Sequence, residues 1–330
     1  MRMQPTMLGA SGRVYAKGDV LHRCEYTSNI VVVKAESGGR SFVLKRPFPH
    51  TYNRSLDFAA ELAGSRRLRL HVDRDLDGEI LVYPFFRTTL FDLIKEDPEF
   101  PVFERSKIIT TVAEAIQEMH KNSWAHLDIN PNNVLVDWTC NGHGDKTVTN
   151  TVVGGLSNTV KLEAGDLLDD SIPGMLGTPE WRSPEVAAAN GMSMASDIYS
   201  FGLLMLYVLG AGDMLRKASP EGLVLNGGEM TLGYEDELLI RHLVYFGPAT
   251  EGLLKVLREE ERCLAVKQMS DYSQREAELR PSLRFQSWGQ GLGPEVHALI
   301  SGMVKMDPAA RLTIDQVLPS LRSFGGRSID

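Results

Sequence analysis

The stretch "AHLDINPNNVLV", Ala125 to Val136, constrains the fold of this chain more than any other. It follows "SKIITTVAEAIQEMHKN", whose apolar residues recur at helical spacing, and it runs on into an apolar segment. Within it Asp128 is followed five residues later by Asn133. On one tight loop after a helix, that spacing sets a potential base beside a metal-binding amide, which is what phosphoryl transfer to a hydroxyl needs. The plain alternative is that Asp128 and Asn133 only cap a turn. The rest of the chain has to decide between them.

Residues 19–47 read as a strand meander, "DVLHRC", "IVVVKAES" and "SFVLKRP", with a Gly38-Gly39 turn and dense β-branched residues. Residues 54–70 have helical spacing, and "EILVYPFF" is an apolar strand closed by Pro84. From Ser106 onward "SKIITTVAEAIQEMHKN", "ASDIYSFGLLMLYVLG" and "PEVHALISGMVKM" each present a wide apolar face. A small sheet-rich part therefore precedes a larger helical part, with the join near residue 87. The polar, Gly-rich stretch 138–159 reads as a surface insertion. Cys140 and His143 inside it are spaced like half of a metal clip, and two ligands do not fill a tetrahedral zinc site.

Composition bears mainly on partners and compartment. A formal charge of -8 opposes non-specific binding to nucleic acid or anionic membranes. Three cysteines without framework spacing suit a reducing compartment, so a cytoplasmic or nuclear location is expected. No signal-like run opens the sequence, and "FGLLMLYVLGAG" from Phe201 is expected to fall short of a membrane span.

Four further segments occur in a fixed order around the opening stretch. Lys45 ends the third strand in "FVLK", with Glu61 sixteen residues on. "GTPEWRSPE" runs from Gly177 to Glu185, "SDIYSFG" begins at Ser196, and Arg311 lies in "MDPAARLT". Together with "HLDINPNN" these segments resemble a eukaryotic-type protein kinase domain over residues 19–323. "IRHLVYFG" at 240–247 with "TPEWRSPE" is similar to a divergent group of kinase-like proteins from filamentous fungi.

The resemblance implies an α+β, bilobal fold: a small antiparallel β-sheet N-lobe with one helix (19–86), and a larger α-helical C-lobe (87–323). Residues 1–18 would be an extension and 324–330 a tail. It implies ATP and magnesium (Mg2+) as cofactors. Lys45, oriented by Glu61, would position the phosphates, and Asp128 would accept the hydroxyl proton. Val31, Val43, Pro84, Phe86 and Leu135 would surround the nucleotide, with Tyr83 at the back of the site. His126, Thr178, Glu185, Asp197 and Arg311 would hold the architecture, Thr178 bonding Asp128 and Glu185 pairing with Arg311.

The metal site, Asn133 with an aspartate, admits two registers. Without gaps, "VKLEAGD" gives Ala164-Gly165-Asp166 and the aspartate is lost. With Asp166 as the aspartate, Leu162 and Ala164 fall on one face of the incoming strand and Leu167 follows, at the cost of Leu168 where glycine is usual. The second register is preferred. A competing reading makes Asp166 part of a solvated acidic run with Asp169 and Asp170.

Other departures point toward weak chemistry. "LGASGRVYAKG" has the look of a phosphate loop, yet Val14 lies 31 residues before Lys45, whereas the resemblance expects about fifteen and Val31 lies 14 before. The loop position is then "CEYTSN", Cys24 to Asn29, without glycine. Asn130 replaces a lysine that neutralises the moving phosphoryl group, a loss worth about 10² to 10³ in turnover. Leu127 replaces an arginine that receives an activation-loop phosphate. The expectation is a serine/threonine kinase of reduced activity acting on a protein substrate. Its rival is a pseudokinase, a nucleotide-binding module or scaffold for a partner; a small-molecule kinase ranks third.

Overall fold

The computed structural model describes residues 5–23, 31–75, 77–162, 177–188, 191–212, 233–257 and 259–325. It divides into two compact units, the first comprising residues 1–92 and 132–157, the second 93–131 and 158–330. The expected join near residue 87 is therefore two-sided: the chain returns to the first unit after the "HLDINPNN" loop.

Unit 1 is built on β1 (Thr6–Leu8), β2 (Val14–Arg23), β3 (Val31–Ser37), β4 (Arg40–Lys45), β5 (Asp73–Asp75) and β6 (Ile80–Pro84), in the antiparallel order β1-β2-β3-β4-β6-β5. Its core packs Met7, Tyr15, Ala35, Phe42, Leu44 and Val82. Residues 6–18, expected as an extension, are thus strands of the sheet. The "LGASGR" stretch is the turn between β1 and β2, closed by Gly9 N-H donating to Arg13 O at 2.8 Å. Asp73 fills this turn. It accepts from the Ser11 N-H at 3.1 Å, from the Ser11 hydroxyl, and from the Tyr15 hydroxyl at 2.9 Å. A carboxylate so placed excludes phosphate there, in line with the spacing argument. Cys24 to Asn29, the alternative loop position, lies outside the described residues.

Helix α1 spans Pro49–Glu61, earlier than the expected 54–70. Pro49 suits the first helical position, where no N-H is needed, and the chain leaves the helix at Leu62, ahead of Gly64. A second, three-stranded sheet has the order β10-β9-β7, from β7 (Thr88–Thr89), β9 (Val134–Cys140) and β10 (Lys146–Val153). β9 and β10 form a hairpin with an irregularity between Val148 and Asn150. The expected insertion is therefore largely sheet. "KTVTNTVV" alternates with period two and buries Thr151, Val152 and Val153 at its end. Cys140 and His143 fall at the hairpin tip, where the Asn141 side chain accepts from the N-H groups of His143 and Asp145.

Helix α2 (Leu90–Glu96) crosses from unit 1 into unit 2, which is mainly helical. Helix α3 (Val102–Lys121) leads to β8 (Trp124–Ala125), which pairs with β11 (Val160–Lys161). After the short helix α4 (Pro184–Ala187), α5 (Met194–Leu206) starts from a capping box of Ser193 and Ser196. The longer run Met194–Ala211, which takes in most of the "FGLLMLYVLGAG" stretch, is long and apolar enough by composition to cross a membrane, but 72% of it is buried inside the protein, as in a core helix. The longer helices described further on in the unit are Tyr234–Phe246, Glu260–Leu279, Pro294–Met303 and Ile314–Gly325.

Candidate functional site

Unit 1 contains a pocket of about 320 Å³, within the size range of small-molecule sites. Val32 and Val43 from the strand pair β3 and β4 form one wall and Tyr83 of β6 another, while Lys45, Asn133 and the chain after β10, Gly154 to Ser157, line the remainder. Lys45 sits there because it ends β4, in register with Leu81 of β6. Its ammonium donates to Ser157 Oγ at 3.3 Å, and Arg54 of α1 donates to the Ser157 carbonyl at 3.1 Å. From α1 it is thus Arg54 that reaches this serine, while Glu61 is exposed at the helix end.

Asn133 reaches the pocket at the start of β9, where its carbonyl accepts from the Gly154 N-H at 2.7 Å. Gly155 lies under the Asn133 side chain with φ +72°, and a Cβ placed on it would stand 2.3 Å from the amide carbon. Any side chain at 155 would have to displace Asn133. Where a metal-holding amide expects an acidic partner, this pocket has Gly-Gly-Leu-Ser and, among its described lining residues, no carboxylate. Asp166, the preferred metal aspartate, lies outside the described residues. The fit is therefore divided. Lys45 suits a phosphate group, and the described pocket does not suit a magnesium ion.

The remaining nucleotide candidates are spread out. Val31 is in β3, but its neighbour Val32 lines the pocket; Leu135 borders it behind Gly154. Pro84 and Phe86 line a separate cleft of about 870 Å³ in the same unit, beside Leu56, Ala60 and Leu68. Arg69 lines both cavities. Nothing in its sequence context singles it out, because its partner is a backbone carbonyl.

Unit 2 holds the other half of the motif. The buried Asp197 carboxylate on α5 accepts from the N-H groups of His126 at 2.8 Å and Leu127 at 2.7 Å, and its Oδ2 contacts His120 Nε2 at 2.9 Å. These bonds hold Leu127 at φ +61°, a strained value for a branched side chain, and so aim Asp128 outward. His126 is fully buried, and its Nδ1 accepts from the Asp128 N-H at 3.1 Å. Asp128 Oδ1 accepts from Thr178 N at 2.9 Å, from Thr178 Oγ1 at 2.8 Å and from the Asn130 amide at 2.8 Å. Asn130 also touches Thr178 Oγ1 at 3.2 Å. It therefore stands directly on the carboxylate, as a neutral bridge where the resemblance expects a cation. Gly177, at φ +84°, lets the segment pass Leu127; a Cβ there would lie 2.4 Å from the Leu127 carbonyl oxygen.

Glu185 and Arg311 meet as expected, in a buried two-pronged ion pair at 2.6 Å per contact. With the Ser196 hydroxyl donating to Glu185 at 2.9 Å, the pair ties α4 to the start of α5.

The family model described as protein kinase domain matches residues 74–321. Among curated relatives, serine/threonine-protein kinase 17A of Oryctolagus cuniculus is 26% identical over 43% of this chain and 33% of its own length. An L-type lectin-domain containing receptor kinase, S.1, of Arabidopsis thaliana is 30% identical over 44% of this chain and 22% of its own. Serine/threonine-protein kinase pkn2 of Myxococcus xanthus is 29% identical over 40% and 15%. The match thus spans a third or less of the length of each of these relatives.

Proposed function

We propose, for a chain that belongs to the protein kinase domain family, that the pocket of unit 1 binds a nucleoside phosphate without a metal ion. The domain then works chiefly as a nucleotide-dependent binding module for a protein partner. The observation that carries this reading is the wall Gly154 to Ser157. Asn133 lies over a glycine instead of an acid, and the cations Lys45 and Arg54 converge on Ser157. Charge that a metal would otherwise neutralise would fall first to Lys45, which lines the pocket, with Arg54 behind Ser157.

Slow transfer to a serine or threonine hydroxyl is the second reading, and it rests on Asp128. Donors that include Thr178 N, Thr178 Oγ1 and the Asn130 amide fix the orientation of that carboxylate. In this reading Asp128 takes the hydroxyl proton, and Asn130 supplies a dipole where a full charge would lower the barrier further.

Transfer of radiolabel from ATP to a mixed serine/threonine protein substrate, in wild type and Asp128→Ala, separates the two. The binding-module reading expects label no higher than in Asp128→Ala. Wild-type incorporation at least about 10²-fold above the variant would establish the enzyme instead.

A further inference from the structure

Arg69 is held in an unusual way for a guanidinium inside a ligand pocket. Its Nε and Nη2 both donate to the carbonyl oxygen of Pro84, at 3.0 and 2.6 Å. The rings of Tyr83 and Phe86 lie 5.5 and 6.0 Å from its central carbon. Burial lowers its pKa to about 10, so it remains cationic at neutral pH. Burial also pushes the Tyr83 hydroxyl up to about 12, keeping that group a donor.

We infer that Arg69 makes the unit 1 pocket selective for a base whose edge offers a carbonyl oxygen, as guanine does, over one offering an amino group, as adenine does. The inference rests on the reading of that pocket as a nucleotide site. A carbonyl oxygen has two lone pairs, and both of those on Pro84 are met by Arg69. Arg69 lines the pocket whereas Pro84 lines the neighbouring cleft, so an amino group arriving from the pocket meets a cation and not the Pro84 carbonyl. A carbonyl oxygen finds the N-H groups that Arg69 does not spend on Pro84, since a guanidinium carries five donors and accepts nothing. The Tyr83 and Phe86 rings both lie against the guanidinium, so swinging away would cost it both contacts. Recognition of a hydrogen-bonding edge by a desolvated donor discriminates strongly, because the wrong edge leaves that donor unpaired.

The test is calorimetric titration with GDP and ADP, both without metal, on wild type, Arg69→Lys and Arg69→Met. Wild type should bind GDP at least about tenfold more tightly than ADP, the size of one hydrogen bond to a charged donor. Arg69→Met, which frees the Pro84 carbonyl, should lose the preference or reverse it. Arg69→Lys, with a point charge instead of a fork, should fall between the two. Equal or tighter ADP binding by wild type overturns the inference while leaving the nucleotide pocket standing. Failure of wild type to bind either nucleotide overturns the pocket reading and this inference with it. Should Arg69→Met not fold, the wild-type ratio and Arg69→Lys still decide.

Discussion

Glu185 and Arg311 carry opposite charges, and neither side chain exposes any surface. Arg311 also donates to the carbonyls of Lys305 and Ala195, at 2.8 and 3.0 Å, and lies 4.9 Å from the ring of Tyr199. Removing one partner of such a pair leaves the other charge buried and unmatched, at a cost of roughly 3–5 kcal/mol. Arg311→Met should therefore lose about that much in urea unfolding. The double variant with Glu185→Met should recover part of it, since two apolar groups replace the stranded charge. Both residues were legible in the sequence because each sits in a short motif with its own spacing. Arg69 was not legible. A bond to a backbone carbonyl fifteen residues away leaves no mark on residue type. Gly155 is marked in the sequence only indirectly, by the two valines that end β10 just before Gly154.

Among the elements, the helix Tyr234–Phe246 carries the clearest response to pH. His242 on it is buried against Tyr199 and Phe246, with ring centroids 5.6 and 6.0 Å away, and neither ring nitrogen has a hydrogen-bond partner among the described residues. Burial, with Arg241 nearby, lowers its pKa from 6.5 to about 3. The folded state thus keeps this ring neutral while the unfolded chain takes up a proton below pH 6.5. Stability falls as pH drops from 6.5 toward 3, by about 1.4 kcal/mol per unit, or about 2 kcal/mol by pH 5. His242→Phe keeps the ring packing and removes the proton. Its loss of unfolding free energy between pH 7 and pH 5 should be smaller than wild type's by that amount; equal losses would mean that His242 is not the group responsible. The helices were the most legible elements, because long apolar faces persist in composition. The β9–β10 hairpin was hidden by its tip, where Asn141, Gly142 and Gly144 dominate the count of residue types. The alternation of Thr and Val beyond the tip is the one mark of a strand there, and the polar, Gly-rich composition outweighs it.

For the whole molecule, the sequence located the change from sheet to helix but not the return of residues 132–157 to unit 1. That return is decided by pairing of β9 with β7, a long-range contact for which the strand "VLVDWTC" carries no address of its own. It matters for function, because it brings Asn133 and Gly154 to Ser157 into the pocket of Lys45. A ligand bound only by the folded state stabilises it by RT ln(1 + [L]/Kd), about 2.7 kcal/mol at a hundredfold excess over Kd. For a chain of this size that corresponds to a rise of about 4 °C in melting temperature. If Lys45 and Arg54 meet the phosphate charge, the rise should be the same with a chelator as with excess magnesium, and Lys45→Met should abolish it in both. A rise seen only with magnesium would point to a carboxylate beside Asn133 that the described lining, with Gly155 there, does not include. Asp166 would then be the residue to test, by whether Asp166→Ala removes the magnesium-dependent rise.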